Sequence, residues 1–504
     1  MPVVANFSLK MSGERTAVEV TASAALIDVA PTARTDVDSS LMSKMPVVNA
    51  AAGLSSMINY STGRTASDAN GFFHPLGDHA QVSFVIDGQP INDQQSKVFS
   101  TQLPPNAIQS MELITGAPEA QFGDKSSLVV NATTKSGLGA RPFGSLEANW
   151  GSFGTWGENV TFGAGTPTFG NFVVLNGLRT GHFLDTPEFL PIHDIGNNET
   201  IFDRIDYQPG RDSYHLNLYA IRNWFQNPNS YDQRTQDQKQ RVMTWNVAPG
   251  YQHLLGSATL FTVNPFVRRD QVYYYGSRNL LNDTPATESQ LRFLTNYGVK
   301  ADVARAQGVH NLKAGIQIQQ TRLAENFSLG ITNPTFNPVC LDAQANPVTS
   351  PSITAPAACS QVNPSYRPNP AFLPGLVSFD LTRGGSLFGF HGAGNVNQYA
   401  FYVMDDIRLA AEDRPAPPVR WRLLLEIHPQ FVRLRCAVQY PDHLPHRLAQ
   451  LQARWSHRPP EHHKYSWLPG LSQLRPHTGA LLPARTRRPH FPGHGIGSGG
   501  TSRP

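Results

Sequence analysis

The chain has 504 residues, of which 40% are hydrophobic and 15% charged, with a formal net charge of +4 at pH 7. A single hydrophobic core rarely grows beyond about 250 to 300 residues, so more than one folding unit is expected. The 41 Gly and 40 Pro favour short strands joined by turns over long helices. No window approaches the roughly 18 to 20 consecutive apolar residues of a membrane helix, which excludes a helical membrane protein but not a β-barrel.

The first residues show no export signal. Residues 1–20 lack a basic segment followed by an apolar one. The sequence therefore indicates either a cytosolic protein or a natural N-terminus that lies upstream of residue 1.

Residues 23–138 mix short helices and strands and predict a small α+β domain. Asp38 is placed to cap a short helix through Leu41 and Met42, which must end before Pro46. A predicted strand at residues 82–86 leads into a turn at Asp87-Gly88. A helix or turn follows residues 103–105, and further strands are predicted at residues 110–115 and 128–133.

Residues 139–412 alternate between apolar and polar positions, which predicts strands with one apolar and one polar face. The apolar members of four such strands are Leu146, Ala148 and Trp150; Tyr214, Leu216, Leu218 and Ala220; Phe261, Val263 and Val267; and Leu312, Ala314, Ile316 and Ile318. This pattern fits a soluble sandwich with its apolar face inward and a membrane barrel with its apolar face outward.

Three features favour the barrel over the sandwich. The polar faces carry Asn, Gln, Thr and His more often than Lys and Glu. Aromatic residues gather near predicted strand ends, as an interfacial girdle requires; they are Trp150, Phe153, Trp156 and Tyr273 to Tyr275. Two predicted connections, residues 186–211 and 324–395, are longer than compact soluble domains usually allow.

The three cysteines divide into a pair and a single residue. Cys340 and Cys359 fall in one polar, Pro-rich stretch, and Cys436 stands apart. The first two fit a loop disulfide in an oxidising compartment and equally fit two unpaired thiols.

Residues 413–504 form a basic tail that is rich in Arg, Pro and His, whereas acidic residues slightly outnumber basic ones before it. The prolines argue against long helices and paired central strands there. Three interpretations compete: a disordered segment that binds nucleic acid, a metal-binding tail, and a reading-frame error in a GC-rich gene. The tail contains Trp, Leu and Phe, and its adjacent His462 and His463 lack further ligand spacing, so the frame error is favoured.

Two runs of the N-terminal domain resemble a known family. VSFVIDGQPI, at residues 82–91, is similar to the strand, Asp-Gly turn and strand of TonB-dependent receptor plug domains. LPPNAIQSMELITGAPEAQFGDKSSLVVNATTKSG, at residues 103–137, resembles that domain's subsequent motifs in their usual order. The strands at residues 295–303, 310–319 and 397–409 also resemble barrel strands of these receptors.

The motifs differ from the siderophore-receptor form. The chain has Thr115-Gly116-Ala117-Pro118 where those receptors have Arg-Gly-Pro, and residues 127–131 replace a Gly-Gly-Val-Ile-Asn core. This form resembles the Oar-like branch, in which a regulatory-like domain precedes the plug. Residues 1–22 would then be a remnant of that domain with a TonB-box-like stretch, Val18, Glu19, Val20 and Thr21, which makes a siderophore ligand doubtful.

The resemblance implies an energised outer-membrane receptor and no enzyme. Its expected partners are a TonB-type energy-transducing protein, outer-membrane lipid and an extracellular ligand, with no nucleic acid and no cofactor. Receptor barrels of this family have 22 strands, and residues 139–412 suffice for roughly half that number. An incomplete barrel leaves backbone groups unpaired in lipid, so we expect the chain as written not to transport. The alternative is a secreted or surface β-rich adhesin.

The motif residues are expected to have structural roles. Gly88 would supply a positive φ in the Asp87-Gly88 turn, and Gly116 and Gly123 would do the same elsewhere. Asn131 belongs to the Val-Asn-x-x-Thr-Lys element of the plug motif. His74, Asp78 and His79 lie together in one loop, but two histidines without a third well-spaced ligand do not predict a metal site. The sequence has no nucleophile elbow, Walker loop, HExxH or CxxC motif.

Overall fold

A computed structural model of the protein describes residues 33–42, 44–45, 53–62, 82–91, 103–115, 118–122 and 127–407, and the backbone alone at residues 65–67, 73–75, 420–428 and 431–439. No helix within these residues is long and apolar enough to cross a membrane.

The N-terminal domain is built on a five-stranded mixed sheet. Its strands and helices are β1 (Ala33–Asp38), α1 (Ser39–Met42), α2 (Gly53–Thr62), β2 (Thr65–Ser67), β3 (Phe73–Pro75), β4 (Val82–Ile86), β5 (Gln89–Ile91), β6 (Ile108–Thr115) and β7 (Leu128–Thr134). The sheet order is β1-β6-β7-β4-β5, and β2 and β3 form a separate hairpin. Strands β4 and β7 are parallel, and the other pairs in the sheet are antiparallel.

Local sequence signals account for several of these elements. The Asp38 carboxylate accepts a hydrogen bond from the Leu41 amide at 2.7 Å, which confirms the predicted helix cap. Strand β4 is buried at every position because apolar residues fill both of its faces. Together with Leu54, Met57 and Ile58 of α2, it forms the core of the domain.

The C-terminal part of the described chain is one antiparallel sheet of ten strands. They are β8 (Phe143–Gly151), β9 (Thr155–Gly165), β10 (Phe169–Thr180), β11 (Gly196–Tyr207), β12 (Asp212–Gln226), β13 (Lys239–Leu255), β14 (Thr259–Tyr275), β15 (Ala286–Gln307), β16 (His310–Ile331) and β19 (Phe388–Ile407). Each strand pairs with its neighbour in the chain, and β8 and β19 are the two edges of an open sheet.

The apolar sides of the predicted strands in β12 and β14 face outward. In β12, Asn217 and Tyr219 are buried against the N-terminal domain, whereas Tyr214 is 42% exposed. In β14, Asn264 and Arg268 are buried and Val267 is 40% exposed. An apolar outer face around a polar inner one is the arrangement of a membrane barrel and the reverse of a soluble sandwich.

The two ends of the sheet differ in the length of their connections. One end has the short turns 166–168, 208–211, 256–258 and 308–309. The other end has the short turn 152–154 and the long connections 181–195, 227–238, 276–285 and 332–387. The predicted loop 186–211 was wrong because it contains β11, whose inward Asn198 and Thr200 give the strand a loop-like composition. The predicted loop 324–395 is shorter at both ends, since β16 continues to Ile331 and β19 begins at Phe388.

Connection 332–387 has a small core of its own. Cys340 and Cys359 form a disulfide, which settles the choice that the sequence left open. Val339 and Ile353 pack beside it in the buried cluster. The connection also contains the short strands β17 (Cys340–Leu341) and β18 (Arg367–Pro368) and the helix α3 (Cys359–Val362).

The basic tail contains a two-stranded hairpin, in which neither strand is a central strand. Strands β20 (Arg420–His428) and β21 (Phe431–Gln439) pair along their full lengths. The prolines of the tail are unevenly distributed: within residues 420–439 the only one is Pro429, between the two strands. Residues 440–504, including His462 and His463, lie outside the described part of the chain.

Candidate functional site

The turn between β4 and β5 is where the N-terminal domain meets the inner face of the ten-stranded sheet. Asp87 and Gly88 have φ values of 47° and 86°. Two consecutive residues with positive φ make a tight two-residue hairpin turn, which presents the Asp87 side chain at the end of the hairpin.

The Asp87 carboxylate joins the two domains. Within its own domain it accepts hydrogen bonds from the Thr134 amide at 3.0 Å and the Thr134 hydroxyl at 2.6 Å. From the sheet it accepts hydrogen bonds from Arg204 Nη1 at 3.2 Å and Asn217 Nδ2 at 2.6 Å. The Asp87 side chain is only 4% exposed, so this ion pair is shielded from water.

Arg204 contacts both domains through separate atoms. Its Nη1 donates to the Thr134 carbonyl at 3.0 Å, and its Nε donates to Asp206 at 3.0 Å. Asp206 in turn accepts a hydrogen bond from Ser136, which follows β7. The guanidinium is therefore held between one carboxylate of the N-terminal domain and one of the sheet, so no buried charge is left without a partner.

The surroundings of Asp87 favour its ionised form. Burial opposes ionisation and acts to raise the pKa, but the positive charge of Arg204, the proximity of His215 and the hydrogen bonds from Thr134 together outweigh it. The pKa of Asp87 is therefore lowered from its ordinary value.

Gly88 and Gln89 extend the contact toward β13 and β14. A Cβ on Gly88 would lie 2.6 Å from Asn264 Nδ2, so a larger residue would collide with the sheet as well as strain the turn. Gln89 and Asn246 exchange two amide hydrogen bonds, at 2.7 and 2.9 Å, and both side chains are buried. We call Asp87, Gly88, Gln89, Arg204, Asn217 and Asn246 the turn contact.

Two further polar contacts link the domains away from the turn contact. Asn106 donates to Asn159 at 2.8 Å, and Lys300 Nζ donates to the Gln121 carbonyl at 2.9 Å. Phe172 and Tyr219 continue the apolar core of the N-terminal domain into the sheet. Hydrogen bonds and apolar contacts therefore both hold the N-terminal domain in place.

The opposite edge of the N-terminal sheet has a more exposed polar cluster. Arg34 of β1 pairs with Glu112 of β6 at 2.6 Å and also with Glu119. Asn131 donates to the same Glu112 at 3.3 Å. The Arg34 and Glu112 side chains are 29% and 23% exposed, so their attraction is weaker than that of the Asp87 ion pair.

The structure does not describe the side chains of the remaining predicted site residues. Val18, Glu19, Val20, Thr21, Gly116, Gly123, Asp78 and His79 lie outside the described residues, and only the backbone of His74 is described. Within the part that the structure describes, no group of three or more His, Cys, Asp or Glu residues is placed to hold a metal ion.

Sequence reasoning missed the sheet half of the turn contact. Arg204, Asn217 and Asn246 all occupy inward positions of alternating strands. An arginine on the polar face was a usable signal, because a buried guanidinium needs a carboxylate partner. The sequence did not show that this partner would be Asp87.

The comparisons with known proteins agree with this architecture. Residues 27–129 match the family model of the TonB-dependent Receptor Plug Domain. No curated protein sequence matches the chain. The structure is similar to the siderophore receptor PiuA from Acinetobacter baumannii, with a TM-score of 0.51 at 12% identity, covering 81% of this chain and 62% of that one.

Two other solved structures are similar to a comparable degree. FpvA from P. aeruginosa, bound to heterologous pyoverdines, has a TM-score of 0.50 at 12% identity, covering 85% of this chain and 54% of that one. The ferric-catecholate import receptor Fiu from E. coli K12 has a TM-score of 0.50 at 12% identity, covering 79% and 60%. The chain thus spans less than two thirds of each relative and has the plug-and-barrel fold of TonB-dependent receptors.

Proposed function

We propose that the protein acts as a TonB-dependent receptor that takes up an extracellular ligand across the outer membrane. The observation that carries this proposal is the turn contact, which seats a plug domain against the polar inner face of a barrel sheet. Uptake through such a fold requires the plug to move, and the polar groups of the turn contact can exchange their partners for water when it does. A β-rich adhesin has no need of a plug.

The plug sheet suggests how energy would reach the turn contact. Strand β1 is one edge of this sheet, and the β4–β5 hairpin that bears Asp87 is the other. We propose that a TonB-type protein binds residues 18–21 as an added strand and pulls on β1, which follows them in the chain. The pull would disturb β6 and β7 before it reaches the turn contact.

We further propose that the ligand binds at the long-connection end, where connections 181–195 and 227–238 contact each other through Leu190 and Tyr231. The related structures are named for siderophores and ferric complexes. The motifs at residues 115–118 and 127–131 support the Oar-like branch instead. Ferric siderophores are the first ligands to test, because the related structures are named for them. Failure of the chain to bind them would favour the Oar-like branch.

Binding of the partner is tested with the full chain in detergent and the periplasmic domain of a TonB-type protein. Replacing Val18 and Val20 by proline should abolish binding, because proline cannot donate the backbone hydrogen bonds of an added strand. The control replaces Val3 and Val4 by proline and should bind normally. Equal binding by all three proteins would contradict the proposed contact.

Movement of the plug is tested by a cross-link across the turn contact. Gln89→Cys with Asn246→Cys should be joined by a short bis-methanethiosulfonate cross-linker, because two amide side chains in hydrogen-bond contact hold their Cβ atoms too far apart for a direct disulfide. Pulling the N-terminus in a single-molecule experiment should then extend the chain only as far as residue 89, and a reductant should restore the longer extension. If the unlinked protein also stops at residue 89, the plug is not released in the proposed way.

A further inference from the structure

A cavity of about 340 Å³ opens on the outer face of the barrel sheet, away from the plug. Its lining residues are Arg179, Ile195, Gly196, Asn197, Arg222 and Trp224. Arg179 is exposed, whereas its neighbours Leu178 and Thr180 are buried against the inside. The cavity therefore faces the surroundings of the barrel and has no part in the turn contact.

Strand register brings basic and aromatic side chains into one row. Arg179 of β10 lies opposite Asn197 of β11, Asn197 lies opposite Trp224 of β12, and Trp224 lies opposite Arg241 of β13. Directly opposed residues of antiparallel strands have neighbouring side chains. Arg222 lies two positions from Trp224 on the same face, so Arg222 and Arg241 flank the indole and Arg179 lies two strands away from it.

The charges of this row are only partly compensated. Glu199 pairs with Arg222 at 2.9 Å and accepts a hydrogen bond from Asn197 at 2.6 Å. Arg241 stacks on the Tyr273 ring at 4.2 Å, an interaction that leaves its charge in place. Among the described residues, no carboxylate forms an ion pair with Arg179. Two carboxylates, Glu158 and Glu199, thus lie beside three guanidinium groups.

The row lies at the long-connection end of the barrel. Arg179 is the next-to-last residue of β10, and connection 181–195 follows it. Further along the outer face, Leu175 and Ile201 are 43% and 56% exposed, as lipid contact requires. In an outer-membrane barrel this end lies at the outer surface, where tryptophan and arginine can reach lipid headgroups.

We propose that this cavity binds a phosphate group on the headgroup of an anionic lipid in the outer leaflet. Arg179 and Arg222 would donate paired hydrogen bonds to the phosphate oxygens, a geometry that guanidinium groups match. Trp224 would pack against the apolar part of the same headgroup. This inference rests on the proposed membrane location but not on transport or on TonB binding.

The test uses the full chain in a neutral detergent, titrated with lipid A that carries two phosphates and followed by native mass spectrometry. Arg179→Gln with Arg222→Gln should weaken binding by about tenfold, because both charged hydrogen-bond donors are lost. The matched control is Arg305→Gln, which removes an exposed arginine near the short-turn end of β15. It should leave the dissociation constant unchanged.

Two further arms identify the ligand group. Dephosphorylated lipid A should bind the unaltered chain about tenfold more weakly, since the charged acceptors are gone. Millimolar inorganic phosphate should fail to displace the lipid, because Trp224 has no counterpart to pack against. Displacement by free phosphate, equal binding of the dephosphorylated lipid, or an equal loss in Arg305→Gln would each overturn the proposal.

A variant that retains both positive charges guards against misfolding. Arg179→Lys with Arg222→Lys keeps the charge but loses the paired donors, so its affinity should fall between those of the unaltered chain and the glutamine variant. Circular dichroism checks that each variant folds. The glutamine variant should still bind the TonB-type protein after it has lost lipid binding. This result would show that loss of the lipid site does not remove the TonB contact, so the two proposals can be tested separately.

Discussion

The two edges of the plug sheet differ in what holds them. At one edge, β1 pairs with β6 alone among the described strands, and its ion pair between Arg34 and Glu112 is partly exposed. At the other edge, the Asp87 side chain of the β4–β5 turn is only 4% exposed, and the turn is bound to the barrel through Asp87 and Gln89. A pull on the N-terminus would therefore meet the weaker edge first, and the barrel contact would be lost last.

Removing the barrel partner of Asp87 should have the largest effect. Arg204→Ala leaves a buried carboxylate without its guanidinium and should lower the free energy of opening of the β4–β5 turn by about 3–5 kcal/mol. Hydrogen exchange at the amides of residues 82–91 measures this free energy. Arg222→Ala breaks an exposed ion pair and should change it by less than about 1 kcal/mol. Equal effects of the two variants would show that the turn contact does not anchor the plug.

A methyl group on Gly88 should have the next largest effect. Gly88→Ala combines an unfavourable positive φ with a collision against Asn264 and should destabilise the turn by about 2–3 kcal/mol. Gly210→Ala is the matched control, because its φ is +67° and no atom lies near its Cβ position. It should lose only about 1 kcal/mol. If the two variants are equally destabilised, the close approach of Gly88 to Asn264 contributes nothing to the stability of the turn.

Lowering the pH should weaken the turn contact, which holds the β4–β5 edge of the plug sheet against the barrel. The pKa of Asp87 is lowered in the folded protein, so its ionised form stabilises the turn contact above the pKa of the unfolded chain. This stabilisation should be lost as the pH falls through the folded pKa. Hydrogen exchange of residues 82–91 at decreasing pH measures the loss, after correction for the intrinsic exchange rate. Asp87→Asn should show a smaller dependence on pH, and an identical profile would exclude Asp87 as its source.

The sequence predicted the plug half of the turn contact but not the barrel half. Asp87-Gly88 is a local signal, since an Asp-Gly pair between two apolar strands specifies a tight turn. Arg204 and Asn246 contact that turn only because the nine turns and loops between the ten barrel strands set the position of their strands. Strand β11 was missed for a related reason: its inward side chains are polar because they face the plug, and a single sequence does not show the plug beside them.

The smallest effect is expected at the exposed edge. Glu112→Gln removes the attraction to Arg34 but keeps a hydrogen-bond acceptor for Asn131. The free energy of opening of β1 should therefore fall by about 0.2–1 kcal/mol. The loss should shrink at high salt, because partly exposed charges are screened. Hydrogen exchange in residues 33–38 should increase while residues 82–91 stay unchanged. An equal increase at both edges would mean that the plug sheet opens as one unit, and the pull on β1 would then reach the turn contact at once.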